Sequence, residues 1–404
     1  MSHACRLCRG HDLSLVIDLG SLPIAHRLLE RRDQTEEVFP FQVHVCQSCG
    51  LIQIVDPVDP GILYDRYNYN FSSWKPEPHL PDELDLICAG GAPGAVAEIG
   101  CNDGRFLSEL QQRGVALRVG IEPNPVSGSI ARDRGHHVHQ GMLGPDLVTD
   151  IVHAHGQFDV VVSRQVFEHL LDIDNFFACA AKLLKADGFL FVDLPDFQPS
   201  FDNGDVSVLW EEHVSYFTEP VLLAAFARNG FLVETVRKYD FSGGTIAVKA
   251  RRAEAPAMAN SDVTAIVHTA QGFAARSADY AAHLRTSLEA RRAQGARVVL
   301  YGVGCRACTV VNALDLKDCI DFAVDDQPER QGMFMPGSRL EIKPSAVLAD
   351  DRRPLVCLLA VNNESEDKVM QKVMNLSPDR TICVTLFSPK DIHQALAALD
   401  TWQP

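Results

Sequence analysis

The sequence predicts an α/β fold, two doubly wound units behind a small metal-binding module, and three observations carry that prediction. Two stretches, residues 96–114 and 296–314, read as apolar strand, small-residue turn and amphipathic helix. Strand-like and helix-like runs alternate through both halves of the chain, the pattern of parallel sheets covered on both faces. Two C-x-x-C pairs, Cys5/Cys8 and Cys46/Cys49, precede them.

Composition narrows the function classes. The chain has 404 residues, room for two or three domains. A net charge of −16 argues against binding to phosphate backbones or anionic membrane surfaces. The opening MSHACRLCRG has no apolar core, so no secretory leader is expected, and no run approaches the length of a membrane span. Twelve cysteines spread over such a chain fit a reducing compartment, and a cytoplasmic location is expected.

Two C-x-x-C knuckles offer four thiolates, the tetrahedral set of a closed structural Zn²⁺ site. The spacer from Cys8 to Cys46 is about twice that of a short zinc ribbon, so an extra hairpin or loop must lie inside it. His3 and His44 read as bystanders. The run LIQIVDPVDP closes the module with a strand and a proline-rich exit, and the aromatic, polar run 64–73 follows, either a packed linker or a lid.

The first α/β unit opens at residues 95–107, AVAEIGCNDGRFL. Gly100 and Gly104 let backbone approach a ligand. The next strand ends at Glu122, about 20 residues on, where a carboxylate can accept from two ribose hydroxyls. G-x-G-x-x-G is absent, which disfavours a dinucleotide. Further strands read at FDVVVSRQ, FLFVDLP and GTIAVKA, and a helix reads over NFFACAAKLLKADG. Ligands of such sheets sit at the carboxyl ends of strands, which gathers Glu122, residues 163–169 and residues 193–196 around one crevice. Residues 164–169 (RQVFEH) and 209–217 (LWEEHVSYF) are dense in titratable groups, and imidazoles beside carboxylates are natural general bases.

From 256 to 294 the alanine-rich, charged sequence predicts one long helix. The second unit then opens at ARVVLYGVGCRACTVVNAL. Gly302 and Gly304 precede Arg306, and this helix start suits either a phosphate or a purely structural turn. Cys305 and Cys308 have no partner pair and are assigned no metal.

In order and spacing these motifs resemble the three-domain, zinc-binding C-methyltransferases that act on nucleotide-linked deoxysugars. The resemblance spans nearly the whole chain: the two knuckles, the Y-x-Y-x-S-S-like run 67–73, EIGCNDG with IEPNP, V-F-E-H at 166–169, E-H-x-S-Y-F at 212–217, Gly243–Gly244, YGVGCRA, and the run 324–337. It implies a Rossmann-like class I S-adenosylmethionine methyltransferase domain (residues 74–254), an N-terminal zinc module with an aromatic lid (1–73), and a linking helix with a second Rossmann-like, substrate-binding domain (255–404). Glu98, Gly100, Asn102, Asp103, Gly104, Glu122 and Gln165 would hold S-adenosylmethionine, and Cys5, Cys8, Cys46 and Cys49 a structural zinc. A 3-keto sugar bound through its nucleotide would lose a proton beside its carbonyl to His213, oriented by Glu212. His169 would donate to the enolate oxygen, and Tyr67 or Tyr69 would close over the substrate. The expected partner is therefore a small molecule, a nucleotide-activated sugar, with no nucleic acid and no membrane.

Two departures fall in the substrate pocket. The family usually reads Y-H-E-H where this chain has Trp210-Glu211-Glu212-His213, and H-G-G where it has Ser242-Gly243-Gly244. An indole donates one hydrogen bond but is neither acid nor base. A different small acceptor, methylated on carbon, oxygen or nitrogen, is the alternative. A non-catalytic module is disfavoured by the intact cofactor turn and the two Glu-His pairs.

Overall fold

The computed structural model describes residues 3–64, 77–253, 263–378 and 381–403. Between the knuckles lies an antiparallel hairpin, β1 (Leu13–Pro23) and β2 (Val38–Cys46), the insertion that the long spacer demanded. Phe41, Val43 and Val45 alternate inward along β2, as a half-buried strand requires. β3 (Ile52–Ile54) adds to its edge. Gly50 turns the second knuckle with φ of 77°, and a Cβ there would sit 3.3 Å from Ile266.

The central sheet begins with β4 (Ala95–Ile99), β5 (Leu117–Glu122), β6 (His137–Gln140), β7 (Phe158–Arg164) and β8 (Leu184–Pro195), which run parallel. The chain then leaves this sheet. β9 (Ser215–Tyr216) pairs with β3 and becomes the fourth strand of the N-terminal sheet. β10 (Phe231–Tyr239) and β11 (Thr245–Arg252) complete seven strands in the order β10-β11-β8-β7-β4-β5-β6. Ala97 and Val161 pack into one apolar cluster, Val96, Val160 and Val162 into another, so both faces are covered.

Two expectations need correction. The sheet is mixed, because β11 runs antiparallel to both β8 and β10. The short link from β10 to β11 cannot carry a crossover, so the two strands form a hairpin. The helix expected through Gly188 ends at Leu183, and Leu184 is already extended with ψ of 137°. Its buried face, which includes Phe176, Phe177, Ala180 and Leu183, is complete at that point.

The long helix is present as Val263–Ala293, with Ile266, Ala270, Phe273, Ser277, Tyr280, Leu284 and Leu288 buried along one stripe. It leads to a five-stranded parallel sheet of β12 (Arg297–Tyr301), β13 (Phe322–Val324), β14 (Ile342–Lys343), β15 (Leu355–Leu359) and β16 (Thr381–Thr385), ordered β14-β13-β12-β15-β16. One apolar core runs from Val43 and Val45 through Phe197, Phe201 and Phe273 to Val298, Leu300 and Val384. This core joins the N-terminal and C-terminal sheets, while a second one joins Cys5, Leu7 and Cys46 of the knuckles to the central sheet. The divisions expected at 73/74 and 254/255 fall outside the described residues.

Candidate active site

The cofactor turn follows β4. Gly100 has φ of 74°, and a Cβ there would lie 2.4 Å from Val166 Cγ2, so both space and conformation require glycine. Asn102, also at positive φ (47°), belongs to a residue type that tolerates the left-handed region. Gly104 begins the helix Arg105–Gln112. Glu122, at the end of β5, accepts from the backbone N–H of Asn102 (2.8 Å, Oε2) and of Asn124 (2.7 Å, Oε1). The carboxylate thus ties two turns together, and each oxygen keeps a second lone pair for a diol. Burial raises its pKa, and the two N–H donors hold it back.

A small cavity beside this turn is lined by Glu77, Glu98, Gly100, Asn102, Asp103 and Arg164. Glu98 Oε2 is buried with no hydrogen-bond partner among the described residues, and burial pushes its pKa well up. Asp103 accepts from Arg105 N at 3.2 Å and faces Arg134 at 3.3 Å. Gln165 binds Asp193 twice, through its backbone N–H (2.9 Å) and its side-chain amide. A ribose-sized acid, a glycine approach and acidic groups at the cavity suit the nucleoside and cationic amino-acid parts of S-adenosylmethionine.

The second constellation joins a 3-10 turn after β7, Phe167–His169, to the segment before β9. His169 Nδ1 donates to the backbone carbonyl of Glu212 at 2.7 Å. Its Nε2 lies 3.7 Å from Glu168 Oε1, and His213 Nε2 lies 4.0 Å from the same oxygen. The two imidazoles meet edge-on at 5.1 Å, and the Trp210 indole lies against His213 at 3.5 Å. Burial drives the His213 pKa well below its ordinary value, and His169 and Arg306 add to the effect. Burial also lowers His169 and pushes Glu168 well above the usual carboxylate range. Burial thus disfavours the charged forms of both imidazoles and of the carboxyl group between them.

The expected orienting contact from Glu212 to His213 is not formed. Glu212 Oε1 lies 2.9 Å from His26 Nδ1, and Glu211 accepts from Ala25 N at 2.9 Å. Glu211 and Glu212 form the corner of a turn closed by His213 N donating to Trp210 O at 3.0 Å, and from that corner both carboxylates reach the N-terminal module. Glu168 is the described carboxylate within 4.0 Å of His213. Glu212 acts instead through its carbonyl, on His169. Glu211 is pushed up to about 8 by burial and by Glu212. Tyr67 and Tyr69 lie outside the described residues. Ser242 sits where the two α/β units touch, its hydroxyl accepting from Asn362 at 3.1 Å and its carbonyl from Arg306 at 3.3 Å.

His26 was not singled out in the sequence; its one local signal is a histidine inside the apolar run LPIAHRLL. The phosphate option for the second unit's turn also changes. The Arg306 guanidinium binds Ser207 Oγ at 2.7 Å, Asp205 at 3.4 Å and the face of Phe387 at 4.1 Å.

At the N-terminus, Cys5 and Cys49 Sγ are 3.5 Å apart, as are Cys8 and Cys46, and all four lie within 4.8 Å of one another. Four sulfurs about 2.3 Å from a central ion stand about 3.8 Å apart, so the set fits a closed tetrahedral zinc site. Among the described residues, no helix is long and apolar enough to cross a membrane.

Comparison with known proteins agrees with this geometry. Residues 5–64 match a family model described as "Putative zinc binding domain", residues 77–236 a "Methyltransferase domain" and residues 240–384 a "C-methyltransferase C-terminal domain". The chain is 31% identical over 361 residues to C-methyltransferase NovU of Streptomyces niveus, covering 84% of each protein. It is 29% identical over 185 residues to the mitochondrial ubiquinone biosynthesis O-methyltransferase of Homo sapiens, covering 39% of this chain and 48% of that one. Among solved structures it is similar to magnesium protoporphyrin IX methyltransferase (ChlM) from Synechocystis PCC 6803 with bound SAH, at TM-score 0.34 and 16% identity over 43% of this chain and 82% of that one. With all three models matched in order and one relative aligned across most of its length, the chain belongs to the three-domain, S-adenosylmethionine-dependent C-methyltransferases.

Proposed function

We propose that this enzyme methylates a carbon next to the carbonyl of a nucleotide-linked keto-deoxysugar, with His213 as the base. The observation that carries this reading is the buried His213, its pKa held down by burial, beside Glu168 and His169, which follow Val166, the residue packed against Gly100 of the cofactor turn. S-adenosylmethionine supplies an electrophilic methyl group when bound. His213 takes the proton from the carbon beside the carbonyl, and being neutral beforehand it is ready to do so. The developing enolate oxygen needs a donor. His169 already gives its Nδ1 proton to Glu212, so a neutral ring has none to offer at Nε2. We assign that proton to Glu168, 3.7 Å away, which passes it to His169 Nε2 as charge builds on the substrate. Trp210 restrains the His213 ring by direct contact, the two rings tilted by 38°. Zinc held by Cys5, Cys8, Cys46 and Cys49 is structural.

A cavity of about 440 Å³ lined by Asp196, Lys238, Tyr239, Gly244, Thr245 and Pro389 supports an acceptor of this size between the two α/β units. Phe197, next to Asp196, packs 5.6 Å from the His213 ring. On this reading residues 1–73 form the zinc module and lid, 74–254 the cofactor domain, and 255–404 the linking helix and substrate domain. The net charge of −16 supports a small-molecule partner rather than nucleic acid or membrane, and the twelve cysteines support a cytoplasmic site of action. A second reading, another small metabolite methylated on carbon, oxygen or nitrogen, is favoured by Trp210 and Ser242, which replace the family's usual Tyr and His. Calorimetric titration with S-adenosylhomocysteine, then of that binary complex with thymidine diphosphate, separates the two. Binding of both supports the nucleotide sugar; binding of the cofactor product alone discards it.

A further inference from the structure

The zinc module shares a strand ladder with the segment that carries His213. β9 pairs with β3, and the Val214 carbonyl accepts from Ile54 N at 3.0 Å. On its other side Val214 N donates to the Glu168 carbonyl at 3.0 Å. One residue, next to His213 in the chain, thus joins the zinc-module sheet to Glu168.

Arg6 grips the carbonyl of this residue. It lies inside the first knuckle, between Cys5 and Cys8, and is buried. Its NH1 donates to Val214 O at 2.9 Å and to Gln53 Oε1 at 3.2 Å, and its NH2 donates to Ile54 O at 2.6 Å. Gln53 Oε1 also accepts from Arg6 N at 3.1 Å, which fixes the base of the side chain. The fork therefore reaches both carbonyls of the β3–β9 junction from a backbone held between two metal ligands. A buried guanidinium bonded to carbonyls and an amide, rather than to a carboxylate, is a costly way to pack a module, since an apolar side chain would fill the space without the desolvation penalty. Its geometry serves the carbonyls it holds.

We propose that Arg6 is a positioning residue for methyl transfer: through it the first zinc knuckle sets the place of Val214 and so of the His213 ring against Glu168. This inference rests on the reading of His213 as the base.

The test uses the full-length protein as Arg6→Met, Arg6→Lys and His213→Asn. Four quantities are measured: zinc content, affinity for S-adenosylhomocysteine, kcat on a thymidine diphosphate-linked keto-deoxysugar, and the imidazole resonance of His213, assigned by its loss in His213→Asn. For Arg6→Met we expect wild-type zinc content, cofactor-product affinity within about twofold, a shifted His213 resonance, and a kcat lower by about ten- to a hundredfold, the scale of a small misplacement. Arg6→Lys keeps the charge but not the fork and should fall between. The inference is overturned if kcat stays within about twofold, if its fall only tracks lost zinc or lost cofactor affinity, or if the His213 resonance does not move. Full activity in His213→Asn would refute the base instead, while the His213 resonance in Arg6→Met would still report on the clamp.

Discussion

The two doubly wound units use the same local device to opposite ends. In the first, Glu122 at the end of β5 accepts from Asn102 N and Asn124 N. In the second, Asp325, just past β13, accepts from Val303 N at 3.1 Å and Gln327 N at 2.9 Å. Each acid ties its glycine turn to the next strand. What surrounds the turn then differs. Asp325 is covered by Arg330 at 3.1 Å, and the space a Cβ would need at Gly302 is taken by Ala360 O at 2.6 Å. Arg306 reaches out of that turn into residues 205–207 and 242 of the first unit. In the first unit, Glu98 Oε2 stays buried without a partner among the described residues, beside a cavity. A strand, glycine turn, helix and acid therefore specify a backbone path. Whether that path becomes a ligand site depends on which polar groups the fold leaves open.

The largest effect is expected from His213→Asn, which should lower turnover by about 10²- to 10⁴-fold while affinity for S-adenosylhomocysteine stays near normal. An equal loss of affinity, measured by calorimetry, would mean that the base lies elsewhere. Next come the paired glycines. Gly100→Ala drives a Cβ against Val166 and should weaken the cofactor product by at least about tenfold. Gly302→Ala meets Ala360 O and should lower the melting temperature by several degrees, with cofactor affinity unchanged in the folded fraction. If Gly302→Ala weakens the cofactor product as much as Gly100→Ala does, the second turn is not merely scaffold.

The acids sharpen the contrast further. Glu122→Gln should cost about tenfold in affinity, the scale of a charged hydrogen bond, whereas Asp325→Asn should act on melting temperature alone. A cofactor affinity insensitive to Glu122→Gln would remove the ribose assignment. The smallest effect concerns pH. His213 is neutral in the folded state, with a pKa depressed below the value near 6.5 of an unfolded histidine. Between the two values the unfolded chain binds more protons, so stability is full above about 6.5 and is lost as pH falls toward the folded pKa. His213→Asn should flatten the acid side of a melting temperature–pH profile. An unchanged slope would mean that another buried group sets it.

The features legible in the sequence are those whose partners lie close along the chain or obey a fixed spacing. C-x-x-C places two sulfurs on one ion, a glycine turn must precede its helix, and an acid about 20 residues later meets that turn across one strand pair. Those rules were enough for the four cysteines, Gly100, Gly104 and Glu122, and for the two strand–turn–helix units. They were not enough for contacts between distant segments. Glu212 stands next to His213 in the chain yet binds His26, 186 residues away, and Arg6 reaches Val214 across 208 residues. The bond from His169 to the Glu212 carbonyl, the antiparallel placing of β11 and the closure of the second unit's turn are of the same kind. Such pairs are chosen by which faces pack together and which polar groups that packing leaves in need of partners, and no local pattern encodes that choice. Residue types and spacings by themselves determined the chemistry available to this protein. The tertiary packing decided which groups are occupied in holding it together and which remain open to react.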